Sequence, residues 1–169
     1  MKHYLLIFVL SLLLIVSVII GVASFKSVTK KVLPNGNGGT IAKTMEGNKI
    51  AGQKSFYFAY TKDDYQRALD GDKIIFLDFF ANWCPFCRAE APEIEAGFNN
   101  LDSDRLIGFR VNYNDSETDA NEKALAEQYK ITYQHTKVIL VNGKEIYRSG
   151  DPWTREDFDT VINRILSEK

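Results

Sequence analysis

The chain has 169 residues, 21 Lys and Arg against 22 Asp and Glu, and a formal net charge of -1 at pH 7. That length suits one compact domain with appendages rather than two full domains, and the charge balance excludes the basic face that nucleic-acid binding needs. The 2 cysteines are Cys84 and Cys87. A loop this short constrains little of the unfolded chain, so the pair is no stabilising framework. Any disulfide chemistry runs within the pair or between it and another molecule.

From Tyr4 to Phe25 no residue is charged, and Leu, Ile and Val dominate. At about 1.5 Å of helical rise per residue this run is long enough to cross a hydrocarbon core of roughly 30 Å. Residues 1–25 therefore read as a transmembrane anchor. A cleaved signal segment is the competing reading, with Val22-Ala23-Ser24 supplying small residues near a cleavage point. Lys2 lies on one side, and Lys26, Lys30 and Lys31 on the other, so the distribution of positive charge does not orient the segment. His3, beside the segment, reads as incidental. Residues 26–54 read as a flexible linker. From Pro34-Asn35-Gly36-Asn37-Gly38-Gly39 onward they are rich in Gly, Asn and Lys and show no apolar period.

Residues 55–169 carry an alternating α/β pattern. Ser55–Tyr60 is a short aromatic strand, and Thr61 caps a helix with Asp64 at the third position and Tyr65, Ala68 and Leu69 inward. Lys73–Phe80 is a near-continuous apolar run, as expected of a strand buried on both faces. A helix opens at the cysteines, and Leu106–Asn112 is another strand. Ser116 is expected to cap a helix running to about Tyr129, with Ala120, Ala124 and Leu125 inward. Val138–Val141 and Glu145–Arg148 flank Asn142-Gly143, a strong hairpin signal. Thr154 caps a last helix in which Phe158, Val161, Ile162, Ile165 and Leu166 recur at helical spacing. The predicted order is βαβαβαββα.

A Cys-x-x-Cys that follows a strand and opens a helix has a physical logic. Cys84 sits at the helix N-terminus, where free backbone N–H groups and the macrodipole favour a thiolate. Cys87 lies one turn later on the same face, close enough to close a small disulfide ring. Cys84 is thus expected to be the exposed attacking thiol and Cys87 the resolving one. Half of a zinc site is the bland alternative, but zinc usually takes four ligands and no second cysteine pair exists.

The segment Asp78-Phe79-Phe80-Ala81-Asn82-Trp83-Cys84-Pro85-Phe86-Cys87 resembles the thioredoxin superfamily, as do Pro92, Tyr129-Lys130-Ile131-Thr132, Asn142-Gly143 and Gly150. The resemblance covers roughly residues 55–169. It implies an α/β thioredoxin-like fold with a central mixed β-sheet flanked by helices, and thiol–disulfide exchange with protein thiols and disulfides by a monomer without cofactor. Asp78 falls where the family has a buried acid beneath the active site. It is expected to accept the proton of Cys87, or alternatively to be a structural Asp paired with Arg110, the position matching the family's lysine. Trp83 is expected to cover one side of the disulfide and offer an aromatic surface to partners, with Pro85 and Phe86 tuning the pair. Cys84-Pro85-Phe86-Cys87-Arg88-Ala89-Glu90 is also similar to membrane-tethered reductases of cytochrome c maturation. Analogy with tethered relatives places the domain outside the cell membrane.

His135, followed by Thr136, aligns with the family's cis-proline. A cis bond before a non-proline residue costs about 2.5–4 kcal/mol, so a trans Gln134–His135 bond is expected. Three readings of His135 stand side by side. It is a loop residue without chemistry, an imidazolium that stabilises the Cys84 thiolate, or, with Cys84 and Cys87, a ligand for Cu or Zn. The last makes a metal-binding protein the alternative function.

Overall fold

The computed structural model describes residues 44–168. The anchor or signal segment expected at 1–25 and the linker up to residue 43 lie outside the described residues. Within them, no helix is long and apolar enough to cross a membrane.

Six strands form one mixed sheet: β1 (Lys49–Ala51), β2 (Phe56–Ala59), β3 (Ile74–Phe80), β4 (Leu106–Asn112), β5 (Thr136–Val141) and β6 (Lys144–Ser149). Their spatial order is β1-β2-β4-β3-β5-β6. Strands β2, β4 and β3 run parallel, while β1, β5 and β6 pair antiparallel with their neighbours. Helices α1 (Lys62–Asp70), α2 (Pro85–Asn100), α3 (Ala120–Gln128) and α4 (Arg155–Ser167) cover both faces. The central strand β3 is buried from Ile74 to Phe79, as its unbroken apolar run requires. Ile75, Leu77 and Phe79 point into a core with Phe109, Val138, Tyr65 of α1 and Leu125 of α3. Phe76 points to the other side, into a core with Tyr57, Phe98 of α2 and Phe158 of α4. Gly108 is small for a reason: a Cβ there would come within 2.4 Å of the Phe98 ring, which stacks on Tyr57 at 4.9 Å. The site-bearing end of β3 thus lies between two well-filled layers.

Local signals account for most boundaries. Thr61 caps α1 by accepting from the Asp64 N–H, and Thr154 with Asp157 forms a capping box at α4. Asn142 and Gly143 take φ of 52° and 70°, the paired positive values a tight hairpin turn needs. Two expectations are corrected. Helix α3 begins at Ala120 because Asp119 and Glu122, not Ser116, form its capping box. Ala120 and Ala124 are accordingly exposed, and Glu122, Leu125 and Ala126 face inward.

The second correction concerns the linker. The sheet begins at Lys49, ahead of the boundary expected at Ser55, because β1 pairs with β2. Its lead-in is held by a buried carboxylate. Asp64 accepts from the backbone N–H of Glu46 (3.0 Å) and Gly47 (2.7 Å) and from Arg67 (2.6 Å). Burial pushes the Asp64 carboxyl up, but these hydrogen bonds outweigh it and hold it below its ordinary value. Gly52, at φ 96°, donates to the side chain of Asn99 in α2. Asp64→Ala should therefore lower stability by about 1–3 kcal/mol and accelerate amide exchange at Glu46 and Gly47. Unchanged protection of those two amides would refute the anchor.

Candidate active site

The cysteine pair stands where β3 hands over to α2. Cys84 is the N-cap of α2, and its Sγ accepts the Cys87 N–H at 3.2 Å. Pro85 follows in the first turn, where its missing N–H costs nothing. The helix continues through Pro92, which removes one intrahelical hydrogen bond. Both cysteines are free thiols.

Contrary to expectation, Cys84 is not exposed: it is 1% accessible and Cys87 0%. Cys84 packs with Ala81, Cys87 and Phe80, and His135 stands close by. Its Nδ1 lies 3.9 Å from Cys84 Sγ, and its ring is flanked by Phe86 at 5.8 Å and Tyr133 at 5.6 Å between centroids. No cis peptide bond occurs among the described residues, so the Gln134–His135 bond is trans as expected. His135 instead adopts φ 51°, a left-handed conformation that few non-glycine residues take and proline cannot. Burial and the nearby Lys137 ammonium push the imidazole below its ordinary value. This direction favours the uncharged ring and weighs against the imidazolium reading.

The floor of the site is charged. Asp78 is 1% accessible, and its Oδ2 accepts from the Tyr57 hydroxyl at 2.6 Å, while Oδ1 has no partner among the described residues. Arg110 lies beside Asp78 in the sheet register, but its guanidinium reaches Glu95 at 2.8 Å and the Tyr57 hydroxyl at 3.3 Å. The expected Asp78–Arg110 pairing is thus relayed through Tyr57. On the other flank of Asp78 stands Lys137 of β5, fully buried and ion-paired with Glu90 of α2. Lys137 Nζ also donates to the carbonyls of His135 (3.0 Å) and Asp151 (2.8 Å), which uses its three protons. Glu90 Oε2 additionally accepts the Trp153 N–H at 2.9 Å, and Oε1 is buried without a partner among the described residues.

These surroundings separate the two thiols. Burial, the hydrogen bond with Cys84 and the charge of Asp78 push the Cys87 thiol up to about 12. Cys87 is thus a protonated thiol at neutral pH, and the Cys84 sulfur, at the helix N-terminus with an amide donor, is the one placed to carry charge. Burial and the negative charge of Asp78 outweigh Lys137 and push Glu90 up to about 7.

Around the pair, Trp83 is 50%, Phe86 57% and Tyr133 49% exposed. The Trp83 indole N–H is tied to the Asn114 carbonyl at 3.0 Å, so the ring is an oriented exposed surface. Pro85 is exposed beside it. Thr136 is buried with its hydroxyl on the Tyr133 carbonyl at 2.9 Å, which shapes the loop rather than facing outward. Tyr57, Glu90 and Lys137 escaped the reading for chemistry. Lys137, set in front of the apolar run Val138–Val141, was the available signal.

A dithiol at a helix N-terminus over a buried acid, on a mixed sheet of this order, defines a thioredoxin-type centre. The family model described as Thioredoxin matches residues 57–164. A thioredoxin of Echinococcus granulosus is 30% identical over 84 residues, 50% of this chain and 71% of the relative. A thioredoxin-like protein of Fusarium culmorum is 31% identical over 101 residues, 56% of this chain and 79% of the relative. The crystal structure of Trxlp from Edwardsiella tarda EIB202 superposes with a TM-score of 0.52 at 25% identity, covering 60% of this chain and 94% of that one. The chain belongs to the thioredoxin family, and it is a thiol–disulfide oxidoreductase.

Two outcomes follow from the site. An unfolded Glu90 titrates near its ordinary 4.5 and the folded one near about 7, so the folded state holds a proton that the unfolded state releases between these values. This contribution is complete below pH 4.5 and is lost as pH rises through 7, a fall of roughly 3 kcal/mol. Urea midpoints measured from pH 4 to 8 should lose that component in Glu90→Gln; identical profiles would refute it. His135→Gly keeps the left-handed backbone and removes the ring, so iodoacetamide should alkylate Cys84 severalfold faster. An unchanged rate would mean that the ring does not shield the thiol.

Proposed function

We propose that the chain exchanges dithiol for disulfide with protein partners, Cys84 attacking, Cys87 resolving and Asp78 moving the proton. The observation that carries this reading is the unpartnered Asp78 Oδ1, buried beneath a cysteine pair whose second thiol is held protonated. As a reductant, the Cys84 thiolate attacks one sulfur of a partner disulfide. The Cys84–partner bond forms, the partner S–S bond breaks, and the first partner sulfur leaves as a thiolate and takes a proton. Cys87 then gives its proton to Asp78 and attacks Cys84 Sγ. The Cys84–Cys87 bond forms, the mixed disulfide breaks, and the second partner sulfur leaves with the electron pair. Run backwards, the same atoms oxidise a dithiol, and the partner's potential relative to this couple sets the direction. Trp83, Pro85, Phe86 and Tyr133 supply the apolar surface on which a partner docks.

We further propose that the uncharged segment Tyr4–Phe25 tethers this domain to the outer side of a bacterial membrane. The support is its length and apolar composition, together with the Arg88-Ala89-Glu90 sequence shared with tethered cytochrome c maturation reductases. Resistance of the chain to alkaline extraction from membranes tests the tether.

Exchange itself is tested by disulfide reduction and dithiol oxidation assays. Cys84→Ser should abolish both, and Cys87→Ser should accumulate a mixed disulfide through Cys84. Asp78→Asn should slow resolution on the order of 10²-fold, the low end of what a positioned acid–base group supplies. Turnover by Cys84→Ser would sink the assignment. Unchanged resolution in Asp78→Asn would remove Asp78 from it.

A further inference from the structure

We propose that reduced Cys84, Cys87 and His135 form a binding site for one soft d10 cation, Cu(I) or Zn(II). The exchange reading requires only the two cysteines, whereas the structure adds a third donor. Each of the three residues offers one ligand atom, and these atoms all lie within 4.8 Å of one another. An ion bonded to sulfur at about 2.3 Å and to imidazole nitrogen at about 2.0 Å holds those two atoms roughly 3.5–3.7 Å apart at tetrahedral to trigonal angles. The Cys84 Sγ to His135 Nδ1 separation is 3.9 Å. Closing that difference needs only a small shift of either side chain.

The backbone that carries the third ligand is itself fixed. His135 sits at φ 51° with its carbonyl bonded by Lys137 Nζ, and its Nδ1 lies near the sulfur. The Cys87 N–H donates to Cys84 Sγ at 3.2 Å, the kind of outer hydrogen bond that orients a metal-bound ligand. The helix N-terminus favours the negative charge that two thiolates bring. Two thiolates and an imidazole are soft to borderline donors, which selects Cu(I) and Zn(II) over Mg(II) or Ca(II). No fourth His, Cys, Asp or Glu joins the cluster among the described residues. Three donors satisfy Cu(I), while Zn(II) would take a water or an outside ligand in its fourth position.

Such a site is gated by redox state, because oxidation consumes two of its ligands. A partner protein's disulfide oxidises the ion-bound dithiolate in one exchange. The Cys84–Cys87 bond forms, the partner's S–S bond breaks and takes up two electrons, its sulfurs leave as two thiolates, and the ion is freed.

The test uses the full chain, reduced and free of metal under anaerobic conditions, titrated separately with Cu(I) and with Zn(II). Elemental analysis after desalting should give one ion per chain, and X-ray absorption should show two sulfur neighbours and one nitrogen. The tighter of the two ions identifies the one favoured. His135→Asn preserves the left-handed backbone, which Asn tolerates, and should weaken binding at least about tenfold. The disulfide form should bind neither ion. The proposal is overturned if the reduced chain, with both thiols titratable, retains no ion, if His135→Asn binds as tightly, or if the disulfide form binds equally well. Exchange kinetics on the same ion-free preparation stand apart from these outcomes, so either reading can fail alone.

Discussion

A single buried ammonium organises the site. Lys137 Nζ joins Glu90 on the helix that carries the cysteines, the His135 carbonyl on the loop facing them, and the Asp151 carbonyl beyond β6. Three separate stretches of chain thus meet on one charge by direct contact. A buried ion pair is weak evidence of net stability, since desolvation offsets most of the attraction, but removing one partner strands the other at about 3–5 kcal/mol. What such a pair secures is position. It fixes the distance between α2 and the His135 loop, and with it the distance between the thiols and the imidazole.

The same lysine sets the electrostatics of the floor. Asp78 lies between Arg110 and Lys137 in the sheet, yet neither cation bonds it directly. Arg110 is drawn to Glu95 and Lys137 to Glu90, so Asp78 has one oxygen on the Tyr57 hydroxyl and one free. A carboxylate locked in a salt bridge is a poor proton acceptor. One flanked by cations that are occupied elsewhere keeps both the favourable field and an open oxygen. Glu90 shares the pattern, with one oxygen bonded and one bare. Buried polarity is therefore concentrated next to the cysteines, beside a core facing α2 and α4 built from aromatic and aliphatic side chains.

Much of the fold was legible because it rests on local rules. Strand β3 declares itself by an unbroken apolar run, α1 and α4 by their threonine caps, and the β5–β6 turn by Asn142-Gly143. Strand β1 was not legible. It has three residues in a stretch of turn-forming composition, and its lead-in depends on Asp64, distant in sequence. Helix α3 was misplaced because Ser116 and Asp119 both satisfy the capping pattern, and only the Glu122 return bond decides between them. In the site, the Cys84–Cys87 pair was readable from spacing, while Asp78 was singled out by the resemblance to the thioredoxin superfamily. The burial of Cys84 was not, since a sulfur's accessibility depends on tertiary packing, including a loop residue fifty-one positions later in the chain.

The backbone angle at His135 changes how the loop meets a partner. Proline would fix φ near −65° and leave a residue with no side-chain donor or acceptor. His135, on the opposite side of the Ramachandran map, sends both of its polar groups inward, the carbonyl to Lys137 and the imidazole to Cys84. Cys84 is 1% accessible, so attack on a partner's disulfide requires a local shift that opens the sulfur. The ring is flanked by exposed Phe86 and Tyr133, the apolar surface a partner would press upon. One side chain thus lies between the nucleophile and the aromatic rim, with the imidazole near the Cys84 sulfur and close to the rings of Phe86 and Tyr133.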